Sequence, residues 1–178
     1  LRNESKISVR SIKFTLMIFA YIAVLSIAVM IYYSSVNEAI FSNGLYLESS
    51  KLFYVVMALG QAILLLFIVP ALSSTAICSE REKQTLDILL SSKLTPFQII
   101  IGKVSASSLR VIILIISTMP LYAIGAIIGV VKISNILSLI VFFIVNTIFV
   151  SSIGVFVSTY IKTSKVSTAL SYALVLFI

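Results

Sequence analysis

The residues best equipped for chemistry in this chain are gathered just after a long apolar run. Glu80, Arg81, Glu82 and Asp87 lie there, with Thr85, Leu86 and Leu90 interleaved. Acids and a base at that density suit charge-assisted docking on a protein partner, and equally a solvated connector whose charges only keep the segment out of lipid. The chain has no His, which removes His-based metal sites, triads and proton relays. Its one cysteine, Cys78, excludes an intrachain disulfide. No phosphate-binding G-x-x-x-x-G-K-[ST] loop occurs: Gly102-Lys103 is followed by Val104, and Phe97 stands five before Gly102. With its acids outside the apolar runs, the chain offers no constellation for a membrane-embedded enzyme.

Two amides stand inside the apolar runs. Gln61 and Asn146 either line a polar pathway or hydrogen-bond a neighbouring helix. Gly125 and Gly129 form G-x-x-x-G, a helix-packing face or a dimerisation motif. Pro70 and Pro120 are expected to kink the runs that hold them.

The elements that carry these residues follow from composition. Sixty per cent of the 178 residues are hydrophobic, 11% are charged, and the mean hydropathy is +1.19. No soluble domain of this size covers so much apolar surface with polar groups, so lipid is the expected solvent. The net charge of +7 does not point to nucleic acid, because the basic residues sit at the edges of apolar runs. A hydrocarbon core about 30 Å thick needs roughly 20 apolar helical residues. Four segments qualify without an internal charge: 14–33, 52–77, 111–131 and 136–161. A fifth run, 166–178, is too short to span. Together with a first residue other than Met, it reads as part of a longer protein. The expected fold is all-α, a polytopic transmembrane helical bundle forming a single domain over 1–178, multi-pass in the cell membrane.

Of the 13 Lys and Arg residues, only Lys51 and Lys132 fall on one side of this arrangement. The others precede the first span (Arg2, Lys6, Arg10, Lys13), lie between the second and third, or follow the fourth (Lys162, Lys165). The positive-inside rule therefore puts the N-terminus and the 78–110 loop in the cytoplasm. Residues 1–13 suit a basic interfacial segment or a flexible tail, and Tyr32 and Tyr33 read as interface anchors. Cys78, the only thiol, should face the cytoplasm and accept a thiol reagent from that side.

Within the loop, Ser79 and Glu82 have capping-box spacing, and an amphipathic pattern runs on to Leu90. A second start follows. Thr95 suits an N-cap, Pro96 the first helical position, Gln98 the reciprocal acceptor, and Leu94 with Ile99 a hydrophobic staple. The helix begun there can run through Gly102, Lys103 and Arg110 into the third span. The loop is thus read as helix, tight turn, helix.

The run from Pro70 through Ser79-Glu80-Arg81-Glu82 and Thr85-Leu86-Asp87 to Leu89-Leu90, with Leu94-Thr95 and Gly102-Lys103 beyond, resembles permease subunits of the type-2 family of ATP-binding-cassette (ABC) exporters. The likeness continues more weakly through Met119-Pro120-Leu121 and from Ser158 to Tyr172. The resemblance implies that the 78–110 loop is a coupling element entering a cleft of a separate ABC ATPase chain, with Glu80, Arg81, Glu82, Thr85, Leu86, Asp87 and Leu90 as the partner-binding residues. It implies ATP and magnesium on that partner and no cofactor on this chain. A second permease subunit, identical or related, would complete the pathway. The chain departs from the family in carrying Gln84 where many members have Gly just before the Thr-Leu pair, and in having an incomplete fifth span.

The reading is therefore a permease subunit, itself not an enzyme, in an ATP-driven exporter. The rival is a non-transport anchor or scaffold that recruits a cytosolic partner through the 78–110 loop. The absence of any ionisable side chain within a complete span disfavours an ion-coupled carrier.

Overall fold

The computed structural model describes residues 12–43, 46–84, 95–127 and 132–177. All regular structure among them is helical: α1 (Ile12–Asn43), α2 (Tyr46–Ser73), α3 (Cys78–Glu82), α4 (Pro96–Ser117), α5 (Met119–Ile127), α6 (Ile133–Tyr160) and α7 (Ser164–Phe177). Four stretches are long and apolar enough to cross a bilayer: Phe14–Ile31, Tyr54–Glu82, Phe97–Ile124 and Ile133–Tyr160. The charged end of the second lies beyond its last apolar neighbours, Ile77 and Cys78. These helices are apolar on nearly every face, as membrane spans are. Their outward faces carry Phe19, Leu137 and Phe156, at 79%, 61% and 60% exposure, which only lipid would cover at low cost. The protein is an all-α, polytopic transmembrane bundle.

Two capping expectations met different outcomes. At α4 the Thr95 amide donates to Gln98 Oε1 (3.1 Å) and the Gln98 amide to Thr95 Oγ1 (3.4 Å), a reciprocal capping box with Pro96 as the first helical residue. The helix then runs unbroken to Ser117, so the third membrane-length stretch starts at Phe97, ahead of the expected Val111. At α3 there is no Ser79–Glu82 box. Ile77 is the capping residue, Ser79 lies inside the helix, and no side chain of the cap bonds its amides. α3 ends at Glu82, and Gln84 takes the left-handed φ of 56° that closes a helix; the rest of the helix expected up to Leu90 falls outside the described residues.

Pro120 coincides with a break at Thr118 in the helical run that holds it. It has no amide to offer Ile116, α4 stops at Ser117, and the Thr118 hydroxyl donates to the Ile115 carbonyl at 2.7 Å. Pro70 is carried inside α2, three residues before its end at Ser73. The 1–11 segment, Leu94 and Gly129, and the surroundings of Tyr32, Tyr33 and Gly125, fall outside the described residues.

The chain divides into two compact units. One comprises 10–64 and 114–143, with Tyr21, Leu25, Met57, Tyr122 and Phe143 in its interior. The other comprises the described residues of 65–113 and 144–178, with Cys78, Val111 and Val155 in its interior, all nearly inaccessible. In the second unit Gly154 lets α6 approach the end of α2: a Cβ there would meet Ser73 Cβ at 2.8 Å and the Ser74 amide nitrogen at 3.2 Å.

Candidate functional site

Glu80, Arg81 and Glu82 of the charged run singled out in the sequence are the last three residues of α3, and each of these ionic side chains reaches a different helix. Glu80 forms an ion pair with Lys103 of α4. Arg81 donates from Nη1 to the Ile161 carbonyl (3.1 Å) and from Nη2 to the Thr159 carbonyl (3.2 Å), at the C-terminal end of α6. Glu82 accepts the backbone amide of Ser164 through Oε1 (2.7 Å) and its hydroxyl through Oε2 (2.8 Å), at the first residue of α7. These placements follow helix electrostatics. A cation satisfies carbonyls left over where α6 ends, and an anion satisfies an amide left over where α7 begins. The Ser164 amide, then its hydroxyl, with the Lys165 charge nearby, hold the exposed Glu82 carboxyl below the usual carboxylate range.

The start of α3 is held by α6 in turn. Ser158 Oγ accepts both the Ile77 amide (3.1 Å) and the Cys78 amide (3.0 Å), doing the capping that Ser79 does not do. Cys78 is wholly buried, and its thiol donates toward the Ser158 and Ile161 carbonyls (3.3 and 3.0 Å). The expectation that Cys78 accepts a thiol reagent is therefore corrected: burial and carbonyl contacts leave it closed to one.

Thr85, Leu86, Asp87 and Leu90 lie outside the described residues. Gln84 is described, and its backbone shows what the departure noted in the sequence costs. The position takes φ 56°, a conformation glycine adopts freely and a side chain with a Cβ does not.

The two span amides have different surroundings. Gln61 is 1% exposed; its Oε1 accepts the Tyr122 hydroxyl at 2.5 Å, and buried Tyr21 lies beside it. It joins α2 to α5. Asn146 is exposed on α6.

Sequence reasoning missed the serines. Ser73, Ser107, Ser151, Ser158 and Ser167 are buried in the second unit and bonded: Ser107 and Ser151 hydroxyls meet at 2.5 Å, Ser167 donates to the Ser74 carbonyl at 2.8 Å, and Ser73 to Val69 at 2.9 Å. The signal was present, since Ser151, Gly154 and Ser158 recur at helical spacing on one face, as small residues do where helices pack closely in lipid. Tyr172 of α7 adds a hydroxyl bond to the Phe67 carbonyl (2.7 Å), within one turn of Pro70, where the proline weakens the helix's own bonding. Between α4 and α6 lies an open groove lined by Ile100, Val104, Ser108, Ser152, Phe156 and Tyr160. No cluster of potential metal ligands occurs among the described residues.

The described residues thus form membrane-length helices with a short polar helix, α3, bonded to α4, to the end of α6 and to the start of α7. The chain belongs to the ABC-2 family of transporter proteins, whose family model matches residues 1–178. It is a membrane permease component of an ABC transporter. No curated protein and no solved structure matches it.

Proposed function

We propose that the chain couples ATP hydrolysis on a separate ABC ATPase chain to the export of a substrate across the cell membrane. Family membership carries this reading: it supplies a membrane component, and the chain itself has no phosphate-binding loop. ATP and magnesium would bind the partner. The loop residues Thr85, Leu86, Asp87 and Leu90 would meet it, with Glu80, Arg81 and Glu82 behind them. Movement of that surface would pass into α4, one unbroken helix of 22 residues, hence roughly 33 Å long, and so into the third span.

A second permease subunit, identical or related, would complete the pathway. Asn146 supports this, because an amide exposed on a spanning helix is poorly served by lipid and well served by a facing helix.

The experiment is affinity purification of the full-length protein from its native membranes. An ATP-hydrolysing chain in fixed ratio is the expected companion. Recovery of a cytosolic protein without nucleotide hydrolysis would favour the scaffold instead.

A further inference from the structure

We propose that adjacent residues Arg81 and Glu82 read the two poles of the α6–α7 corner, locking α3 to that corner so that the two move as one body. The end of α6 presents unsatisfied carbonyls and a partial negative charge, whereas the start of α7 presents unsatisfied amides and a partial positive charge. The two poles meet within residues 159–164. Arg81 takes the first through the Thr159 and Ile161 carbonyls, and Glu82 takes the second through the Ser164 amide and hydroxyl. Charge order along α3 therefore matches pole order along the corner.

The exchange is reciprocal. The corner caps α3 through Ser158 Oγ, which accepts the Ile77 and Cys78 amides, while the Cys78 thiol lies against the Ser158 and Ile161 carbonyls. Each helix end thus answers the unpaired backbone groups of another, and separating α3 from the corner would expose all of them together. A connector that merely kept its charges in water would not place opposite charges on opposite poles. The consequence for coupling rests on the proposed ATPase partnership: a displacement of the loop after Glu82 would reach α6 and α7 directly through this joint.

The joint is tested without the ATPase, on the full-length protein in lipid nanodiscs, by hydrogen exchange across Ser164 to Ser167. The double variant Arg81→Glu, Glu82→Arg keeps composition and net charge but sets each charge against the wrong pole. It should speed exchange there several-fold. Glu82→Gln retains one carbonyl acceptor and should speed it less, and Lys83→Gln, a neighbouring exposed charge, should not change it. The joint is overturned by parental exchange in the double variant, or by Lys83→Gln loosening the corner as much as the swap does. Where the double variant fails to insert, Glu82→Gln decides alone, and unchanged exchange overturns the proposal. Failure of the ATPase partnership would look different, because the corner would still loosen while no nucleotide-hydrolysing chain accompanied the parent protein.

Discussion

The Glu82 carboxylate is spent on Ser164, accepting its backbone amide at 2.7 Å and its hydroxyl at 2.8 Å. An acid that the family resemblance places among the partner-binding residues is thus engaged inside its own chain, although it remains exposed. A substitution at Glu82 perturbs the start of α7 before it reports on docking. The docking hypothesis therefore needs a different probe, and Asp87, beyond the end of α3, supplies one.

Gly154→Ala should lower the thermal stability of the detergent-solubilised protein, at a cost of about 1–3 kcal/mol for overpacking. The added Cβ would press on Ser73 Cβ at 2.8 Å and on the Ser74 backbone, which cannot turn aside as a side chain can. Adding Ser73→Gly should recover part of the loss. Equal melting temperatures for parent and Gly154→Ala would mean that α6 does not approach α2 so closely.

Gln84→Gly should stabilise the protein, by on the order of 1 kcal/mol, because the left-handed backbone at φ 56° penalises every residue with a Cβ. Gln84→Val should do the reverse, since a β-branched side chain tolerates that region least. Thermal unfolding of the three proteins side by side settles the order. Gln84→Gly melting below the parent would contradict it.

How much of this was legible depends on where a residue's partner lies. The spans follow from the length of apolar runs, and the start of α4 from Thr95, Pro96 and Gln98, whose contacts are all local. The start of α3 was misread because its partners are distant: Ser158 caps it from 80 residues away, and Glu82 turns to Ser164 rather than back to its own helix. A capping-box spacing says which local bond is available, and it is silent about a competitor arriving from another span. The buried serines were hidden for a related reason. In an apolar run a serine counts as a weak interruption until a facing helix such as the one bearing Ser107 gives Ser151 a partner.

Gln61 and Tyr122 should show coupled effects. Gln61→Leu leaves the buried Tyr122 hydroxyl without its acceptor, and Tyr122→Phe leaves the Gln61 carbonyl without its donor. Each should cost about 1 kcal/mol, and the double variant less than the sum. Additive losses in a thermal-stability cycle would show that the 2.5 Å bond does not contribute.

Cys78 should resist a membrane-impermeant maleimide from either side of the membrane until the protein is denatured, because its thiol is fully buried. Sidedness is better read at exposed Lys83, as Lys83→Cys in a Cys78→Ala background. Labelling is expected in inverted vesicles and not in intact cells. The opposite pattern would invert the topology.

The central claim, that the loop couples this permease to an ATPase, is tested most directly by Asp87→Lys in the full-length protein reconstituted with its ATPase chain. Complex yield and substrate-stimulated ATP hydrolysis are compared with Glu48→Lys, near the start of α2 on the side expected to be outer, after equal membrane insertion is shown. A carboxylate seated in a protein cleft tolerates charge reversal far less than one in water, by several kcal/mol rather than tenths. Asp87→Lys should therefore lose both the complex and the stimulated hydrolysis while Glu48→Lys keeps them. If Asp87→Lys keeps both, the loop is not the coupling surface.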